Sequence, residues 1–371
     1  MTNPLFGNNP NIRWEVWLCY PDGTRRKPLD MALAWTCSKV VNDLGSFEIT
    51  LPLAKMEKLG LLEPDLDSIL EFRRAAWGSA LTEFMGGFVR AYEYTTDEIT
   101  LKGYGYNYLL DGRVVAYYAG SSYASKSDYA DDLMKALVRE NLGSLATDTT
   151  RDLSALGFSV SANETLGVRQ DRAFSNKELL DVLRDVSFTS VQDGTPVFFE
   201  VTHPTATTFE FVTYIDQPGQ DLAGELLPMS AEAGTLTNPR YLIDRRQEVN
   251  RYRVGGDEQG YHRNYVNIQD TTRQADSVWN LRERFLDRRN LSSAQLEDAG
   301  LNALQAAQPI RKFSASLLDA KGSRFGIDWN FGDRVPARFR GLTFSALIKA
   351  VGLSVDSDGS ETLTARMEAE L

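Results

Sequence analysis

The chain has 371 residues, 25% of them charged and 42% hydrophobic, which fits folded globular protein of two or three domains and excludes long disordered tracts. A net charge of −11 argues against binding nucleic acid or anionic membrane with the whole molecule, and no apolar run reaches the length of a membrane span. The opening residues lack the basic and apolar pattern of a secretory signal, which sets an expectation of synthesis in a cytoplasm.

In chain order, residues 13–118 read as mostly β. Strands are predicted at RWEVWL (13–18), WTCSKVV (35–41) and GSFEITL (45–51), with Pro21-Asp22-Gly23 as a hairpin turn after the first. A short helix follows Pro52 over residues 53–61, then strands at 68–73, 83–95 and 98–104 with a turn at 94–98. Many short strands with regular turns predict a barrel or sandwich.

Residues 119–239 change character. Ser127 is placed to cap a helix carrying Ala130, Leu133, Met134, Leu137 and Val138 at helical spacing. Ser175 and Glu178 form a capping-box pattern ahead of Leu179, Leu180, Val182, Leu183 and Val186, and strands follow at 196–201 and 207–214. This predicts an α+β insertion. From residue 240 strands return at 250–254, 265–268, 311–317 and 345–368, interrupted by helical or turn-rich stretches at 277–289 and 292–308. GIDWNFGDRV (326–335), with two glycines and alternating apolar residues, reads as strand, tight turn and return strand.

The chemistry-bearing residues are sparse. Cys19 and Cys37 are too few for a disulfide scaffold and read as reduced packing residues. His203 and His262 are the only histidines, which leaves a Cys/His nucleophile pair or a multi-histidine metal site hard to build. Asp131-Asp132 reads as favourable charge in a helix's first turn, and Asp356-Ser357-Asp358-Gly359 as a hairpin turn lacking the rest of a calcium loop. Tyr104, Tyr106, Tyr108, Tyr117, Tyr118 and Tyr123 offer either an aromatic platform for sugars or bases, or packing; strand alternation favours packing. Residues 240–290 hold eleven arginines, no lysine and eight acidic residues. Interleaved acids disfavour a phosphate-binding patch, leaving subunit-interface ion pairs or a solvated charged surface. No catalytic, cofactor-binding or metal-ligating set is assigned.

Several segments in order resemble one family. GYGYNYLLDGR (103–113) resembles the end of the first domain of siphophage tail hub proteins, YADDLMKALV (129–138) the helix opening their inserted domain, and DSVWNLRERFLDRRN (276–290) with the helix after it the step before their last strands. GIDWNFGDRV followed by GLTFSALIKAV (341–351) resembles their closing strands. The family is related in fold to contractile-tail baseplate hubs and to the N-terminal part of tail-associated lysins. The resemblance implies a mainly β fold with an α+β insertion: two tube-like β domains at 1–118 and 240–371 flanking an inserted domain at 119–239. It also implies a homotrimeric ring at the virion tail tip that adapts the sixfold tube to a threefold tip. The implied partners are other copies of itself, the tail tube or distal tail ring, a tape measure protein, and tail fibre or tip proteins. DNA would pass through the lumen without specific binding, past surfaces expected to be acidic. The chain ends directly after its last strand, where lysin-like relatives continue, so the expectation is a structural protein and not an enzyme. The alternatives are a cell-wall or polysaccharide hydrolase hidden in the middle region, and a carbohydrate-binding adsorption module.

Overall fold

The computed structural model describes residues 12–62, 65–76, 78–116, 123–174, 176–224, 228–256, 263–289 and 293–370. By compactness the chain divides into a first unit, residues 1–239 with 314–368, and a second, residues 240–313 with 369–371. The expected fold class holds: the molecule is mainly β, in several sheets, with an α+β portion.

The first unit begins with β1 (Ile12–Cys19), β2 (Arg25–Pro28), β3 (Ala34–Val40) and β4 (Ser46–Pro52). After these come helix α1 (Leu53–Lys58), β5 (Ile69–Ala76), β6 (Thr82–Tyr94) and β7 (Glu98–Gly105). Apart from β2, these strands lie where alternation predicts them. In β1 every second side chain, Ile12, Trp14, Val16 and Leu18, is buried, as one apolar face of a half-covered sheet requires. Trp14 meets Trp35 edge-on at 4.5 Å between ring centres, and Phe72 lies against both Trp35 and Phe47. The α+β portion consists of β8 (Ala124–Tyr129), α2 (Ala130–Asn141), β9 (Phe158–Val160), β10 (Arg169–Phe174), α3 (Leu179–Gln192), β11 (Val197–Thr205) and β12 (Thr208–Ile215). β8 and β10 pair antiparallel, while β11, β12 and β9 make a second small sheet. One apolar cluster runs from Ile69 and Phe88 through Leu133, Met134 and Leu183 to Phe199 and Phe211, so this portion shares a core with β5 and β6.

The chain enters the second unit along β13 (Leu236–Asp244). There it forms β14 (Arg251–Gly255), β15 (Tyr265–Gln269), helix α4 (Thr271–Ala275), β16 (Glu283–Asp287) and helix α5 (Ser293–Ala306), and it leaves along β17 (Ile310–Leu317). The three-stranded order is β15-β14-β16, with β16 parallel to β14. Tyr252, Val254 and Ile268 pack with Leu296 and Leu304 of α5 into the unit's own core.

Back in the first unit, β18 (Arg334–Phe339), β19 (Leu342–Val355) and β20 (Glu361–Glu370) close the chain, with the predicted turn at Asp356 to Gly359 joining the last two. These late strands do not form a sheet of their own. β19 pairs antiparallel with β3, from Ala350↔Val40 to Val355↔Trp35, giving one continuous order β20-β19-β3-β4-β7-β6-β5-β1-β2, with β18 also on β19.

Three local expectations fail for identifiable reasons. Ser127 is not a helix cap: it lies in β8 opposite Asp171, and α2 starts at Ala130, where the backbone N–H groups of Ala130 and Asp131 donate to the carbonyls of Val168 and Leu166. GIDWNFGDRV is not a hairpin: Gly326 and Gly332 both adopt positive φ (84° and 81°), so the chain turns twice, and its regular strand begins only at Arg334. Residues 277–289 are not helical: the Asn250 side chain donates to the Asn280 carbonyl and accepts from Arg282 N–H, aligning β16 with β14. That long-range pairing overrides local helix propensity. Ser175 of the capping box lies outside the described residues, and α3 begins after Glu178 with no side-chain cap.

Candidate functional site

The polar groups that elsewhere make active sites are spent here on joining segments. Glu361 and Arg74 are each 5% exposed and form a two-pronged ion pair, Arg74 Nη2 to Oε1 at 2.8 Å and Nε to Oε2 at 3.2 Å. Trp14 Nε1 donates to the same carboxylate at 2.5 Å, and the guanidinium lies over the rings of Trp14 and Phe325. Burying such a pair is tolerated because every charged edge has a partner. It ties β1 and β5 to the start of β20.

Asp333, from the GIDWNFGDRV segment, is a second buried tie. Its Oδ1 accepts from Gln220 N–H at 2.7 Å and its Oδ2 from Asn330 N–H at 2.6 Å; burial raises its pKa above the usual carboxylate value while these bonds oppose the rise. Trp329, fully buried, donates its indole N–H to Ser323. Asp328 is clamped by Arg324, whose hydrogen bonds hold its pKa low. The segment is a pinned corner.

A third node lines a cavity of about 340 Å³ together with Asn42, Phe199 and Tyr214. His203 Nδ1 of β11 lies 3.2 Å from both Glu83 Oε2 of β6 and the Tyr106 hydroxyl. Burial disfavours the charged ring, but the hydrogen bond and charge of Glu83, with the Ala206 carbonyl, outweigh it and raise the His203 pKa. The Tyr106 hydroxyl is pushed well above its ordinary value, first by burial and then by Glu83. The node joins three elements of the chain. His262 lies outside the described residues.

Asp131 and Asp132 do sit in the first turn of α2, as the sequence indicates. Their carboxylates also accept from the backbone N–H groups of Leu166, Glu164 and Thr165, and Asp131 pairs with Lys135, so they fasten a loop. Among the described residues no group of three His, Cys, Asp or Glu is placed to hold a metal ion. Cys19 and Cys37 are free and buried. Burial, then Glu71, pushes the Cys19 thiol up to about 12, and burial raises Cys37 as well. No helix of the described residues is long and apolar enough to cross a membrane.

The tyrosines do not make one platform. Tyr106 is buried, while Tyr104 stacks on Tyr108 at 5.7 Å with Arg90 over the latter ring; Tyr117 and Tyr118 lie outside the described residues. The arginines of 240–290 are largely engaged within their own unit: Arg245 with Glu248 and Asp276, Arg251 with Glu283, Arg263 with Asp287, Arg273 with Asp270. Arg253 instead covers the ring of Tyr265 at 4.4 Å. What sequence reasoning missed is the apolar surface among these charges. Val278 and Trp279 are 93% and 84% exposed, and Leu281 and Phe285 more than half. The signal was present in VWNLRERF, but was absorbed into a predicted helix.

A chain whose polar clusters serve as ties, on a multi-sheet β framework with an α+β portion, has the fold of phage tail proteins. It is similar in structure to the 43 kDa tail protein of prophage MuSo2 from Shewanella oneidensis, with 12% identity, 96% of this chain and 97% of that one covered, and a TM-score of 0.53. The tail protein from Neisseria meningitidis MC58 is similar to the same degree, with 11% identity, 96% of each chain covered and a TM-score of 0.53. A chain of the half-lidded Francisella PdpA-VgrG complex also matches, at 9% identity and TM-score 0.53 over 97% of this chain and 58% of that one. Sequence then narrows the class: the model of the Siphovirus ReqiPepy6 Gp37-like protein family matches residues 13–367, and the chain belongs to that family. No curated protein matches it in sequence.

Proposed function

We propose that this protein is the hub of a phage tail tip, three copies closing into a ring that continues the tail tube and converts its sixfold order to threefold. The observation that carries the reading is the β3–β19 pairing, which joins strands β1 to β7 and β18 to β20 side by side in one chain. Two β regions per chain, drawn from residues 1–118 and 240–371, give six in a trimer, and residues 119–239 are the insertion between them. The buried Arg74–Glu361 pair supports the same reading, since it locks the two regions as one block, as a ring under load from an ejecting genome requires. Its action is assembly rather than chemistry, and its partners are further copies of itself, the tail tube or distal tail ring, the tape measure protein and the fibre or tip proteins.

Gold labelling of the chain in intact virions tests the placement. The reading expects label confined to the distal end of the tail. Label along the shaft or on the head would contradict it.

A further inference from the structure

One face of the second unit's sheet packs on a helix and the other is more open. Tyr252 and Val254 of β14, with Ile268 of β15, point to α5, whereas Arg253, Tyr265 and Phe285 alternate to the other side, where Arg253 lies over Tyr265 and Arg263 over Tyr265 and Phe285, and Phe285 stays 53% exposed. β16 is one of the two edge strands of this sheet, and the segment leading into it carries Val278, Trp279 and Leu281 in the open. Exposed tryptophan and phenylalanine among arginines is the composition of protein-binding hot spots and costs solubility if left bare. An open strand edge adds backbone donors and acceptors to the same surface.

The charge balance indicates what covers it. The second unit, residues 240–313 with 369–371, holds 13 Lys and Arg against 11 Asp and Glu, a net +2, within a chain whose total is −11, so the first unit carries −13. A mildly basic, aromatic surface is complementary to an acidic partner, and the rest of a second copy is such a partner, present at equal concentration. We propose that the surface formed by Val278, Trp279, Leu281 and Phe285 docks on a second copy of this chain, against its acidic first unit. This rests on the trimeric hub reading and specifies which part of each subunit makes the ring contact.

The test combines two measurements on the full-length chain. In the double variant Trp279→Asp with Phe285→Ser, light scattering over a dilution series should show the trimer dissociating at concentrations at least about tenfold higher than for the parent. Thermal unfolding reports whether the variant keeps its fold. Separately, a photoreactive benzoylphenylalanine replaces Val278 in an otherwise unchanged chain assembled from isotopically light and heavy copies. Cross-links joining light to heavy chains, from 278 to residues 1–239 or 314–368, support the proposal. A trimer unaffected by the double variant, or cross-links only within one copy, would overturn it. If the parent chain forms no trimer, either alone or with tail tube protein, the hub reading fails first, and the light-to-heavy cross-links are then absent too.

Discussion

Glu361 shows how much one side chain carries in this molecule. It satisfies Arg74 and Trp14 at once, in a position where neither reaches water. Glu361→Ala strands a buried guanidinium and should cost about 3–5 kcal/mol by denaturant titration. Replacing both members, Arg74→Met with Glu361→Leu, should recover most of that loss, because removing a buried pair is far cheaper than breaking it. His203 makes a prediction in pH. Its folded pKa lies above the ordinary 6.5, so its proton stabilises the fold fully below pH 6.5 and that contribution disappears as pH rises through the raised value. Melting temperature should therefore fall across this range in the parent, and His203→Gln should flatten the fall. The free, buried thiols of Cys19 and Cys37 should resist thiol reagents in the native protein and react fully once it is unfolded. That both cysteines pack in the reduced state was legible in the sequence. The Glu83–His203–Tyr106 node was not, because its members lie 20 to 120 positions apart and nothing local marks them as partners.

At the scale of elements, the strands of the first region were readable because each buries one face, and alternation in β1 and β4 survives into the structure. Helices α2 and α3 were readable from their apolar spacing, though their starts were not, since α2 is capped by a distant loop rather than by a local serine. The strand β16 was misread because its parallel partner, β14, stands some 30 positions earlier and dictates its conformation. The β6–β7 pairing depends on the absence of a side chain at Gly103, where an added Cβ would sit 2.0 Å from the Phe88 carbonyl oxygen and 2.4 Å from the Phe47 ring. Gly103→Ala should destabilise by at least about 1–3 kcal/mol, read as a lowered denaturation midpoint with an unchanged slope. An unchanged midpoint would mean that the strands separate freely there, contrary to the packing described.

At the scale of the whole molecule, the order of elements along the chain, strands, then mixed helices and strands, then strands, was legible in the sequence. What the sequence concealed is that the last strands add to the first sheet through β19 and β3, a pairing between residues more than 300 positions apart. On that pairing stands the central claim, that one chain brings two β regions to a threefold ring. The most direct measurement is the mass of the full-length protein in solution by light scattering, followed down a dilution series. The account predicts a stable species at three times 41.5 kDa. A monomer or dimer at every concentration, unchanged when tail tube protein is added, would contradict it.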